Sequence, residues 1–80
     1  MNSRVIAEFQ KNSAEFVRIS LSEFKGSLYF DLRIWLQEKP AEPGNLKPTK
    51  KGLCLSVDLL DDLRGSLEKL ARIVNEGENG

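Results

Sequence analysis

Trp35 is the only tryptophan in the chain, and its indole presents a flat face on which a planar group such as a nucleobase can stack. Arg33 stands two residues before it, and two-residue spacing puts both side chains on one side of an extended segment. Arg18 falls on the matching side of the preceding alternating run; a guanidinium makes bidentate contacts to phosphate or lies flat on a ring. Lys25, together with the group Lys47, Lys50 and Lys51, supplies two further basic points able to follow a phosphate backbone. Each feature has a plainer use. Tryptophan on a small sheet often packs at an edge or an interface, arginines cross-pair with carboxylates such as Asp31 and Glu15, and loop lysines are usually solvated.

Catalytic chemistry has little to work with. The chain has no histidine and one cysteine, which removes the Ser-His-Asp set, the Cys-His pair and most zinc ligand sets. No carboxylate pair lies in a recognisable motif, so the expectation is a protein without catalytic residues, metal or cofactor. Cys54 is expected to be a small buried apolar residue, and alone it makes no internal disulfide.

The elements that would position the candidates are legible from periodicity. In Leu28–Leu36, positions 28, 30, 32, 34 and 36 are all apolar, which predicts a strand with one core face; Tyr29, Asp31, Arg33 and Trp35 take the other. Phe16–Leu21 alternates likewise, with Val17, Ile19 and Leu21 inward and Phe16, Arg18 and Ser20 outward. Lys25-Gly26 between the two runs predicts an antiparallel hairpin whose polar faces adjoin. Residues 37–51 contain three prolines and a glycine and are expected to form a long, partly extended loop, with a short strand near Asn45–Lys47. Gly52–Leu55 is expected as a brief buried strand, and residues 1–14 as an extension before a sheet spanning 15–55.

A helix is expected over 56–76, followed by a tail at 77–80. Ser56 is a suitable N-cap, Asp58, Asp61 and Asp62 favour the positive end, Lys69 and Arg72 the negative end, and Gly77 a stop. At 100° per residue its apolar side chains, among them Leu63, Leu67, Leu70, Ile73 and Val74, fill an arc of roughly 160°, wider than one packing seam requires. Either a curved sheet wraps the helix, or the helix packs on its own sheet and also on a second subunit. Eighty residues form a single domain with a thin core, which association would help.

Net charge is zero, but it divides unevenly. Residues 1–55 hold nine Lys/Arg against six Asp/Glu, or +3; residues 56–80 hold three against six, or −3. A basic sheet and an acidic helix follow. No apolar run approaches a membrane span and no secretory signal is evident, so an intracellular protein without membrane contact is expected.

The order of these blocks is more specific than any one of them. Glu23-Phe-Lys-Gly26, then Phe30-Asp-Leu-Arg-Ile-Trp35, then Lys47-Pro-Thr-Lys-Lys-Gly52-Leu-Cys-Leu55, then a C-terminal helix, resembles the transcriptional positive cofactor 4 family over about residues 9–75. The resemblance implies an α+β fold: a curved four-stranded antiparallel sheet followed by one helix, paired as a homodimer that binds single-stranded DNA with little sequence preference. It implies contacts from Phe24 and Lys25 in the turn, Arg33 and Trp35 on the second strand, and Lys50 and Lys51, with Leu63, Leu67 and Leu70 supporting the dimer. Ile34 stands where members often carry an acidic residue. The long serine- and lysine-rich segment of eukaryotic members is not in this sequence, so a bacterial-type stand-alone domain is expected, placed in cytoplasm or nucleoid, or in a nucleus if eukaryotic. Transcription regulation, replication and repair are the processes such binding could serve, with the transcription machinery a further partner. Single-stranded RNA, melted duplex or a protein docked on the aromatic face remain open alternatives.

Overall fold

A computed structural model describes residues 2–38 and 45–77. Four strands, β1 (Asn2–Gln10), β2 (Glu15–Phe24), β3 (Ser27–Gln37) and β4 (Leu46–Ser56), form one antiparallel sheet in the order of the chain. A 3-10 turn, Val57–Leu59, then leads into the helix α1 (Leu60–Asn75). The four-stranded sheet followed by one C-terminal helix is the architecture expected from the sequence.

The β2–β3 hairpin is continuous from Glu15 opposite Leu36 to Phe24 opposite Ser27. Lys25 (φ 53°) and Gly26 (φ 81°) both take positive φ, the requirement of the two-residue type I′ turn whose twist suits a hairpin. The β1–β2 corner is built on Asn12. Its Oδ1 accepts from the backbone N–H of Ala14 (3.0 Å) and Glu15 (2.8 Å), while its Nδ2 donates to the Glu15 carboxylate at 2.7 Å.

Two boundaries differ from the sequence-based expectation. Residues 1–14 are not a mere extension before the sheet: they contain β1, which pairs with β2 from Asn2 opposite Glu23 to Gln10 opposite Phe16. A bulge between Val5 and Ala7 breaks the period-two pattern there and hides the strand from a periodicity argument. Residues 37–51 are likewise not all loop, because β4 begins at Leu46 and joins the two short strands expected near 45–47 and 52–55. Pro48 is tolerated because β4 is the sheet edge, where a missing N–H costs no ladder bond on the open side. The centre of that connection, residues 39–44, lies outside the described residues.

Opposite β3, β4 carries a second bulge. Gly52 faces Arg33 and Pro48 faces Trp35, so Thr49, Lys50 and Lys51 stand against the single Ile34. Thr49 closes this bulge by donating from Oγ1 to the Ile34 carbonyl at 2.8 Å. Gly52 is required by contact, since a Cβ there would lie 2.5 Å from the Leu32 carbonyl oxygen and 2.7 Å from the Arg33 Cα.

The core side of the sheet is thinly covered. Among the described residues only Phe30 is buried, at 4% exposure. The helix does not lie on it: Leu63 alone in α1 is partly buried, and the rest of its apolar stripe is exposed. Within one chain, therefore, the helix neither sits inside a wrapping sheet nor packs on its own sheet. Cys54, expected to be buried, is exposed and lies opposite Asp31. Ser56 caps the 3-10 turn, its Oγ accepting from Asp58 N–H at 3.2 Å, and Gly77 with φ 82° follows the helix end.

Candidate nucleic-acid interface

Cross-strand register sets the site. Glu8 of β1 lies opposite Arg18 of β2, Arg18 opposite Arg33 of β3, and Arg33 opposite Gly52 of β4; two rungs further, on the same face, Gln10, Phe16, Trp35 and Pro48 align. Directly opposed residues in an antiparallel ladder share a face, so Arg18, Arg33 and Trp35 form one cluster on the polar side. Glu8 joins it only because β1 is a strand, and for that reason it was not recognisable as a site residue from the sequence.

The two arginines are held in different ways. The Arg18 guanidinium carbon lies 4.2 Å from the centroid of the Trp35 ring, and its Nε and Nη2 each reach the Glu8 carboxylate at 2.8 Å. Stacking of a cation over indole is favourable by about 0.5–2 kcal/mol, depending on desolvation. Arg33 grips Asp31 with Nη2 at 2.8 Å and Nε at 3.1 and 3.2 Å, and donates from Nη1 to the Thr49 carbonyl at 3.0 Å. The hydrogen bonds to Asp31, its nearest anion, raise the Arg33 pKa further, so this guanidinium is charged at every accessible pH.

Trp35 is not an open platform. It is partly buried, one ring face lies under Arg18, and its indole Nε1 is shielded from solvent with no acceptor among the described residues. A buried N–H without an acceptor is uncommon in folded proteins.

Phe24 and Lys25 sit at the hairpin tip. Phe24 is 49% exposed and the Lys25 ammonium lies 5.3 Å from its ring centroid. Eight residues of β3 separate the rung of Phe24 from Trp35, about 26 Å at roughly 3.3 Å per residue. Tip and cluster are therefore two points that an extended ligand could connect. Lys50 and Lys51 are exposed in the β4 bulge and, among the described residues, have no ion-pair partner. Lys51 borders an open cavity with Val17, Leu32 and Ile34, toward the apolar side. Lys47 is not brought to the cluster. It pairs with Leu36 in the register, which places it on the face opposite Trp35, and its ammonium meets Glu38 at 3.5 Å. The period of two along a strand separates Lys47 from its neighbour Pro48.

Among the described residues no group of three or more His, Cys, Asp or Glu could hold a metal ion, and no helix is long and apolar enough to cross a membrane.

Comparison with known proteins extends these observations. The sequence profile of the family described as Transcriptional Coactivator p15 (PC4) matches residues 11–66. The fold is similar to the crystal structure of BPSL1147, a PC4 homologue from Burkholderia pseudomallei K96243. In its tetragonal form the TM-score is 0.75 at 26% identity, over 88% of this chain and 98% of that one. It is also similar to a bacteriophage T5 homologue of the eukaryotic coactivator, implicated in recombination-dependent DNA replication. There the TM-score is 0.66 at 24% identity, over 99% of this chain and 91% of that one. No curated protein sequence matches. With a family match over most of its length and a fold similar to that of a bacterial homologue, the chain belongs to the PC4 family of DNA-binding, transcription-coactivator-like proteins.

Proposed function

We propose that this chain binds single-stranded DNA on the polar face of its sheet, by base stacking and phosphate contacts and with little sequence preference, in the service of transcription regulation, replication or repair. The observation that carries this reading is the rung pairing of Arg18 with Arg33 beside Trp35. It joins an aromatic ring to two planar cations on one face, the combination used to stack bases while following a backbone. Because both guanidinium groups already hold carboxylates, the cations free to neutralise phosphate are the lysines at the tip and the bulge. On the polar face Lys25 and Lys50 correspond to about two phosphates, for which the affinity for a single strand falls with salt at a log–log slope of about −1.4.

The protein acts as a homodimer in this reading. Leu67, Leu70, Ile73 and Val74 are 51%, 57%, 40% and 47% exposed, an apolar stripe too wide to remain in water, and the apolar side of the sheet is open as well. A second copy, covering both surfaces reciprocally, buries them at about 25 cal/mol per Å2.

Titration of an oligothymidine at low salt, followed by Trp35 fluorescence, tests the binding. Quenching that weakens as salt rises is expected, with Lys50→Ala lowering affinity and making the salt slope shallower by about 0.7. A matched oligouridine in parallel measures the preference for DNA over RNA. Absence of salt-dependent binding to either would refute the proposal.

A further inference from the structure

The ring that would receive a base is covered by one of the protein's own cations. Arg18 lies over Trp35 at 4.2 Å, and what holds it there is Glu8, whose carboxylate takes two donors of the same guanidinium at 2.8 Å. Arg18 is the more enclosed partner, its side chain 18% exposed against 36% for Glu8. A base cannot occupy the covered face of the indole while the guanidinium is on it.

We infer that Glu8 is a specificity-determining residue of the site: it keeps Arg18 as a cover on Trp35, which opens when a backbone phosphate replaces the Glu8 carboxylate as the partner of Arg18. The exchange puts one anion in place of another at the same guanidinium, and the Glu8 carboxylate, 36% exposed, is released to water. Its requirement is the informative part. Uncovering the ring needs a phosphate, and filling the uncovered ring needs an unstacked base within reach of that phosphate. A free aromatic compound supplies only the base, and a duplex supplies phosphates with its bases still stacked. A flexible single strand supplies both. Glu8 therefore trades affinity for selectivity: the cover excludes aromatic compounds that bring no phosphate, while the need for an unstacked base excludes duplex at the ring itself.

This inference rests on the single-strand reading above, and its test separates the two. The first measurement uses the protein alone: acrylamide quenching of Trp35 in the unaltered chain, in Glu8→Gln and in Glu8→Ala, with circular dichroism to show that the sheet is retained. Release of the cover predicts stronger quenching in both variants. Glu8→Ala, which removes the acceptor altogether, is expected to give the larger change. The second is oligothymidine affinity, expected to rise about two- to fivefold in Glu8→Ala, the equivalent of a partly exposed ion pair. Unchanged quenching in Glu8→Ala overturns the cover, whether or not DNA binds. Stronger quenching with unchanged or weaker DNA affinity overturns the claim that the cover costs affinity, and with it the role assigned to Glu8. Failure of the unaltered chain to bind any oligomer refutes the single-strand reading instead.

Discussion

Gly52 shows how closely one residue can control the site. Its missing side chain lets β4 approach the backbone of β3 at Arg33, and only that approach allows Thr49 to accept the Arg33 Nη1 and to close the bulge. The nearest atoms a Cβ would meet are the Leu32 carbonyl oxygen and the Cα and Cβ of Arg33, none of which can rotate away. Gly52→Ala is therefore expected to cost about 1–3 kcal/mol and to lower Tm by about 4–8 °C per kcal/mol in a domain this small, measured by thermal unfolding. Glu15 carries a different dependence. Hydrogen bonds from Asn12 and then Lys11 hold its carboxyl below the ordinary range. A depressed carboxylate contributes stability above its unfolded pKa and loses it as pH falls through the folded value. Asn12→Ala removes the largest cause and the side-chain acceptor of two backbone N–H groups; its acid-unfolding midpoint is expected at higher pH than that of the unaltered chain, in a denaturation series followed by circular dichroism.

At the scale of elements, β2, β3 and the helix were legible because their patterns are local. Five apolar residues at period two define one face of β3, and Ser56 with the three aspartates near the helix start and Gly77 after its end mark the ends of the 3-10 and helical stretch. β1 was not, because the bulge at Ile6 shifts Val5 to the opposite face from Ala7 and Phe9, so no run long enough to count keeps one phase. The length of β4 was hidden by Pro48, which argues against a strand unless its place at the edge is known, and edge position is a property of the assembled sheet. The candidate site divides the same way. Arg18, Arg33 and Trp35 follow from the faces of two strands, whereas Glu8 depends on the missed strand and the placement of Lys47 opposite Leu36 on β4 being one continuous strand from Leu46. Cys54 was misjudged because apolar character in its neighbours does not decide which face of an edge strand is covered.

For the whole molecule, the question is what closes the apolar surfaces that one chain leaves open. A single sheet with an unattached helix has one buried residue among those described, too small a core for a stable 9.0 kDa monomer. Light scattering is expected to give about twice the chain mass at micromolar concentration, and Leu67→Asp/Leu70→Asp to abolish the dimer by placing two charges in its interface. A stable monomer of the unaltered chain would contradict the pairing. The pairing would also set two polar faces in one particle, doubling the sites offered to a strand. Entry of a single strand onto the Arg18–Arg33–Trp35 face is read at the one indole. In a proton–nitrogen correlation spectrum Trp35 gives a single Nε1–H signal, free of overlap from any other tryptophan. Addition of an oligothymidine should shift that signal, and added salt should return it. A signal that stays in place while the oligomer is bound elsewhere, or is not bound, would mean that this face does not receive the strand.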